Sequence, residues 1–334
     1  MNRRLSFLFV SARRLAGVFI LIGGLVGVLG LTGCALIVPQ SSKIERAKPS
    51  LLPDNVELSE VPFFPQKNYE CGPAALATVL ANAKLKVTPD DLVSQVYLPS
   101  RKGSLQVEML ASARRHGMIA YQLAPRFEDL LREVAAGNPV IVLQDYGVWP
   151  FSIWHYAVVI GYDYRKSLVI LRSGENKRLL MPFGILEYTW KESNYWAMVA
   201  TQADRIPATA TESAYLAAIA AADRLGDAKN SRTAYSAALA KWPENLQATI
   251  GLANAHYSLG ALDKTEITLK KGLSRNPLSV VLLNNLAQTL SDLGRHAEAL
   301  SYIEQAIKLG GPFSAMVDDT HKSILQKVKF KKGK

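Results

Sequence analysis

Two side chains in this sequence carry the chemistry to cleave or transfer an acyl group, the thiol of Cys71 and the imidazole of His155. A thiol attacks only as thiolate, and the unpaired N–H groups at a helix N-terminus lower its pKa. Cys71 is expected at such a place, because Cys71-Gly72-Pro73-Ala74-Ala75-Leu76 reads as a helix start with Pro73 in the first turn, where its missing N–H costs nothing. Gly72 is expected to leave room for a substrate carbonyl beside the sulfur. Upstream, the Gln66 amide can join the Cys71 backbone N–H in holding an oxyanion. An imidazole must then take the thiol proton and return it to the leaving group. His116 ends a predicted helix beside Arg114 and Arg115 and reads as a solvated, helix-terminal cation. His155 opens the apolar run Tyr156-Ala157-Val158-Val159-Ile160-Gly161-Tyr162, which can hold its ring at the rim of a sheet, so it is the expected base and acid. Trp149, Phe151, Trp154 and Tyr156 can line a peptide cleft or serve as core and rim packing.

The elements that must position these groups follow from periodicity. The helix at Cys71 should run to about Ala83, and a second should start at Thr88, whose hydroxyl can cap while Asp90 and Asp91 favour the positive end of the dipole. Helical spacing returns over Ser104 to His116 and Arg126 to Ala136, each stopped by a glycine. Strand-like runs cover Ile119 to Leu123, Val140 to Gln144, Ile153 to Tyr162, Leu168 to Arg172 and Tyr195 to Ala200, with a hairpin turn at residues 163–167. Helices first and an antiparallel sheet later predict an α+β domain over residues 59–203.

Three blocks in order, Val61-Pro62-Phe63-Phe64-Pro65-Gln66, Cys71-Gly72-Pro73-Ala74-Ala75-Leu76 and His155 with its apolar strand, resemble the papain-fold peptidases of the bacteriocin-processing, double-glycine leader type. The resemblance implies a papain-like cysteine peptidase domain with Cys71 as nucleophile, His155 as general base and acid, and Gln66 as oxyanion donor. The family places an Asp on the strand after the His hairpin to orient the imidazole. Here that stretch reads Leu171-Arg172-Ser173-Gly174-Glu175-Asn176. Ser173 can hydrogen-bond the ring in its place, or Glu175 or Asn176 can substitute. Losing an orienting group lowers the rate without abolishing thiol chemistry.

The last third is rich in Ala, Leu and Asn, with helical spacing. Gly226, Gly260 and Gly294 recur every 34 residues, each preceded by Leu, and Pro243 and Pro277 keep the same interval, as do Ala238, Gly272 and Ala306. Ala253, Ala287 and Ala297 sit where helices must approach closely. This pattern resembles tetratricopeptide repeats, and three of them are expected over residues 212–312 as an all-α domain. The resemblance implies a protein partner or peptide in the repeat groove and no chemistry there.

At the N-terminus, Arg3, Arg4, Arg13 and Arg14 precede an apolar run from Leu15 to Leu31 that ends in Leu31-Thr32-Gly33-Cys34. This layout reads as a secretory signal over residues 1–33; an uncleaved anchor is the alternative, since roughly 17 apolar residues approach the length of a membrane span. The end of the run resembles the bacterial lipobox, which implies lipid on Cys34, membrane attachment and, with Ala35 following, the outer membrane with the body facing the periplasm. Residues 34–58 then read as a tether and 313–334 as a basic, solvated tail. Cys71 is left without a disulfide partner, because the chain has two cysteines. With 49% apolar residues the chain has material for real cores. Its net charge of +11 lies largely in the signal and the tail and accompanies no nucleic-acid motif, so no nucleic-acid partner is expected. His256, His296 and His321 lack metal-ligand spacing, so neither metal nor cofactor is expected. The expected function is a thiol peptidase, a hydrolase acting on peptides or protein leaders. An inactive peptide-binding lipoprotein and a papain-like acyltransferase are the alternatives.

Overall fold

The computed structural model describes residues 38–66, 70–148 and 150–332. The signal, Cys34 and Trp149 lie outside the described residues. The chain forms an α+β unit followed by stacked helix pairs. Seven strands make one antiparallel sheet: β1 (Asn55–Glu57), β4 (Ile119–Gln122), β5 (Val140–Asp145), β6 (Trp154–Asp163), β7 (Leu168–Ser173), β8 (Asn176–Pro182) and β9 (Ala197–Thr201). Six of them lie in the order β4-β9-β5-β6-β7-β8, and β1 pairs with the far end of β6. The strands β2 (Tyr97–Leu98) and β3 (Gly103–Ser104) form a separate small hairpin.

Alternation along β6 sends Tyr156, Val158 and Ile160 to one face and Ala157 and Val159 to the other, as the period of two requires. The first face is covered by α2 (Cys71–Asn82), α3 (Pro89–Val96) and α4 (Gln106–Arg115) through Leu76, Leu80, Leu92 and Met109. The second is covered by α5 (Phe127–Ala135) and α6 (Phe183–Trp190), where Phe127, Phe183 and Trp190 pack edge to ring. Thr88 starts α3 as expected, its N–H and Oγ1 both donating to Asp91.

Several expectations change. Residues of the expected tether belong to the body. Pro39–Arg46 form α1, whose first amides at Gln40 and Ser41 donate to the buried Glu187 carboxylate at 2.9 and 2.6 Å, and Asn55–Glu57 form β1. A buried acidic cap satisfies orphan donors as well as a local one, and its distance along the chain hides it from a sequence reading. The helix expected from Ser104 starts at Gln106, since Ser104 is spent on the β2–β3 hairpin. β8 and α6 went unread, because Asn176-Lys177-Arg178 is too polar for a buried strand and Phe183 to Trp190 too apolar all round for an amphipathic helix.

The repeat region holds three helix pairs, α7 (Glu212–Asp223) with α8 (Ala228–Lys241), α9 (Leu246–Ser258) with α10 (Leu262–Arg275), and α11 (Val280–Asp292) with α12 (His296–Leu309). The 34-residue glycines close the first helix of each pair at positive φ, 81°, 72° and 77°, where a side chain would be strained. The expected solvated tail is instead a helix, α13 (Ser314–Lys332), which buries Val317 and Ile324 in the core of the last pair and sets Lys327 2.6 Å from Asp292. Its apolar positions at helical spacing outweigh the lysine run. The first pair is not separate from the α+β unit: Tyr215, Leu216, Ile219 and Tyr235 share one core with Ile119, Tyr121 and Phe127.

Candidate functional site

Cys71 is the first residue of α2, entering the helix after Glu70, with the Ala74 N–H closing the first turn on the Glu70 carbonyl. A cleft of about 780 Å³ opens at this helix end and is lined by Gln66, Cys71, Ser104, Trp154, His155 and Glu175 among others. The structure thus brings Gln66, Cys71 and His155 to one cavity. The link between sulfur and imidazole is the next residue of β6, since the Tyr156 backbone amide hydrogen-bonds Cys71.

Gln66 is held from both sides. Its N–H donates to the Gly174 carbonyl at 3.2 Å and its side-chain amide to the Tyr156 carbonyl at 3.3 Å. A carboxamide nitrogen has two hydrogens, so one remains for the cleft.

His155 stands on β6 opposite Gln144. Its Nε2 is 2.8 Å from Ser173 Oγ, and its ring stacks on Tyr146 at 5.1 Å between centroids, 25° apart. Ser173 reaches the ring because the pairing of β7 with β8 slips between Leu171 and Ser173, and such an irregularity re-aims a side chain. The Arg172 guanidinium pins the slip by donating to the carbonyls of Ser59, Val61 and Lys177. Ser173 is buried behind the imidazole, whereas Glu175 lines the cleft and Asn176 starts β8.

The electrostatics differ from the expectation of an activated thiolate. Burial pushes the Cys71 thiol up, and amide hydrogen bonds from Tyr156 and Gly72 pull the other way without overcoming it. Burial pushes the His155 imidazole down to about 4. Both shifts favour a neutral thiol beside a neutral imidazole. Tyr156 is raised as well, by burial first and by proximity to Cys71 second.

Gly72 does not leave room for substrate. A Cβ there would collide with Ser104 Oγ and lie 2.6 Å from Ser104 Cβ, so its bareness lets β3 pack on the start of α2. Ser104 Oγ is buried with no hydrogen-bond partner among the described residues, and the Tyr156 hydroxyl donates to the Ser104 carbonyl at 3.2 Å. Sequence reasoning misses Ser104, because helical spacing extends back to it while the structure puts it on β3. His116 lies outside the cleft, its Nε2 3.3 Å from Gln95 Nε2. Trp154 lines the cleft and Tyr156 is core as well as cleft wall, while Phe151 is exposed on the β5–β6 loop. Among the described residues no group of three or more His, Cys, Asp or Glu gathers as metal ligands.

Residues 58–198 match the Peptidase_C39 like family, and residues 215–279 and 280–310 match tetratricopeptide repeat families. A crystal structure described as that of a C39-like peptidase from Bacillus anthracis matches at 20% identity with a TM-score of 0.39, covering 45% of this chain and 98% of that one. No curated protein matches the chain. The chain therefore carries a Peptidase_C39-like domain followed by tetratricopeptide repeats.

Proposed function

We propose that this protein is a membrane-anchored thiol peptidase acting on peptides or protein leaders, with the repeats recruiting the substrate or a protein partner. The observation that carries this reading is the 2.8 Å contact of Ser173 Oγ with His155 Nε2 beside the Cys71 cleft. It orients the ring from behind and leaves Nδ1 as the nitrogen to exchange a proton with the thiol. In the proposed reaction the Cys71 proton passes to His155 as sulfur adds to the carbonyl. The oxyanion is held by the Cys71 N–H and the free Gln66 amide hydrogen. His155 then gives the proton to the leaving amine, and water hydrolyses the thioester. No metal or cofactor enters this scheme.

Anchoring is part of the same proposal: lipid on Cys34 holds the protein to the outer membrane with the body in the periplasm, a reading supported by the apolar run and Leu31-Thr32-Gly33-Cys34. Among the described residues no helix is long and apolar enough to cross a membrane.

A second reading, an inactive peptide-binding module, is favoured by the neutral thiol and imidazole and by serine where the family has a carboxylate. Incubating the full chain with a complex peptide mixture and reading products by mass spectrometry separates the two. The peptidase reading expects new termini that vanish in Cys71→Ala and fall by about 10²–10⁴ in His155→Ala. Retained but uncut peptides would select the binding module. Hydroxamates outnumbering free acids at low hydroxylamine would select an acyltransferase.

A further inference from the structure

α6 buries Phe183, Leu186 and Trp190 in the core and yet keeps large apolar side chains on its exposed face. Its polar side chains Glu187 and Thr189 point inward, Glu187 to the amides of α1 and Thr189 Oγ1 to Gln144 Nε2 at 2.7 Å. Its outward face carries Ile185, 52% exposed, and Tyr188, 50% exposed. These lie three residues apart and so on one face, with Lys191 another turn on and its Nζ 4.6 Å from the Tyr188 ring centroid. Large apolar side chains exposed together mark a surface that something covers, and an exposed tyrosine beside a lysine is the pairing that sits at a membrane–water interface.

The chain outside the described residues says what covers this face. Val38, where the described residues begin, packs against α6: a Cβ on Gly184 would lie 3.7 Å from Val38 Cγ2. The next residues are clamped there, Gln40 and Ser41 by Glu187, and Gln40 again by accepting from the Phe127 N–H at 2.7 Å. Only three residues lie between Cys34 and Val38, so four Cα-to-Cα steps give a reach of at most roughly 14 Å at about 3.3–3.6 Å per residue. The same closeness holds if the run from Leu15 to Leu31 remains as the anchor, with a few residues more.

We propose that the outer face of α6, formed by Ile185 and Tyr188, with Lys191 just past its end, rests in the headgroup region of the bilayer that holds the chain. This rests on the anchored reading above. It fixes the orientation of the body: α6 covers the sheet face opposite α2, so membrane contact leaves the start of α2 and its cleft uncovered.

The test uses the full, lipid-modified chain in proteoliposomes of phosphatidylethanolamine and phosphatidylglycerol, in a Cys71→Ser background. Nitroxides are attached through Ile185→Cys, Tyr188→Cys and, as reference, Val107→Cys on the opposite side of the sheet, where Val107 is 60% exposed. Circular dichroism confirms that each variant is folded. At 185 and 188 an aqueous nickel relaxant should lose access by about threefold or more relative to 107 while oxygen access rises, as for side chains buried roughly 5–10 Å into an interface. Equal nickel access at all three sites on membrane-bound protein overturns the docking face and leaves the anchor intact. Loss of both nickel and oxygen access means protein contact in place of lipid and also overturns it. Protein that does not sediment with the vesicles overturns the anchor, and the docking face with it.

Discussion

At the scale of single residues the catalytic question turns on two shifts with one cause. Burial raises Cys71 and lowers His155, so the resting site holds no ion pair unless something opposes burial. Cys71 should therefore react slowly with iodoacetamide near neutral pH, at a rate still climbing at about pH 9. A plateau on the acid side, lost in His155→Ala, would contradict this. Ser173→Asp places a carboxylate where Oγ now meets Nε2, and an opposite charge there favours the imidazolium by roughly 1–3 pKa units. NMR titration of the ring should show the rise from about 4, and alkylation should gain rate at lower pH. Folding should feel the same group. Because the folded pKa lies below the unfolded one, the unfolded state binds the extra proton, and stability is lost as pH falls from about 6.5 to about 4. Unfolding free energies from denaturant titrations across that window should drop more for wild type than for His155→Asn, by on the order of 2 kcal/mol. Cys71 and His155 were legible as candidates because each sits in a local pattern, a helix start or an apolar strand, and Gln66 because it lies just upstream of the cysteine. The thiol's raised pKa was not, since the tertiary burial responsible for it has no trace in neighbouring residues.

At the scale of elements, two close approaches organise the site. Gly72 admits β3 against the first turn of α2, and Gly72→Ala forces Ser104 aside. Overpacking of this kind costs about 1–3 kcal/mol. The clash is pairwise, so adding Ser104→Gly, which removes both offending atoms, should recover most of the lost stability in thermal unfolding; an additive double variant would show that Gly72 matters for another reason. The second approach is α1 on α6. Glu187→Ala strands the amides of Gln40 and Ser41 and should free residues 39–54 for proteolysis while the sheet stays resistant. Helices with glycine stops and strands with strict alternation were readable from sequence. What hid were elements whose partners lie far along the chain, such as α1, whose cap is 147 residues away, and β8, whose outward residues are charged and whose role is to carry the register slip that aims Ser173.

At the scale of the molecule, family boundaries and cooperative boundaries differ. The matched peptidase-like region ends at residue 198 and the repeats begin at 215, yet the first helix pair completes the core beneath β4. Thr209 reinforces the joint, its N–H and hydroxyl donating to Glu133 at 2.7 and 2.6 Å. A separate core begins only in the second repeat, around Ala253 and Leu269. Fragment 38–203 loses Tyr215, Leu216, Ile219 and Tyr235 from the shared core, each worth about 1.5–3 kcal/mol when buried. The sum approaches the whole stability of roughly 5–15 kcal/mol expected for a domain, so this fragment should unfold at far lower temperature or aggregate. Fragment 38–276 keeps the shared core and should melt close to the full chain's first transition. Equal melting of 38–203 and 38–276 would mean that the repeats are a detachable appendage. The predicted difference makes the first helix pair a structural part of the peptidase-like domain, the base from which the separately cored second and third pairs extend.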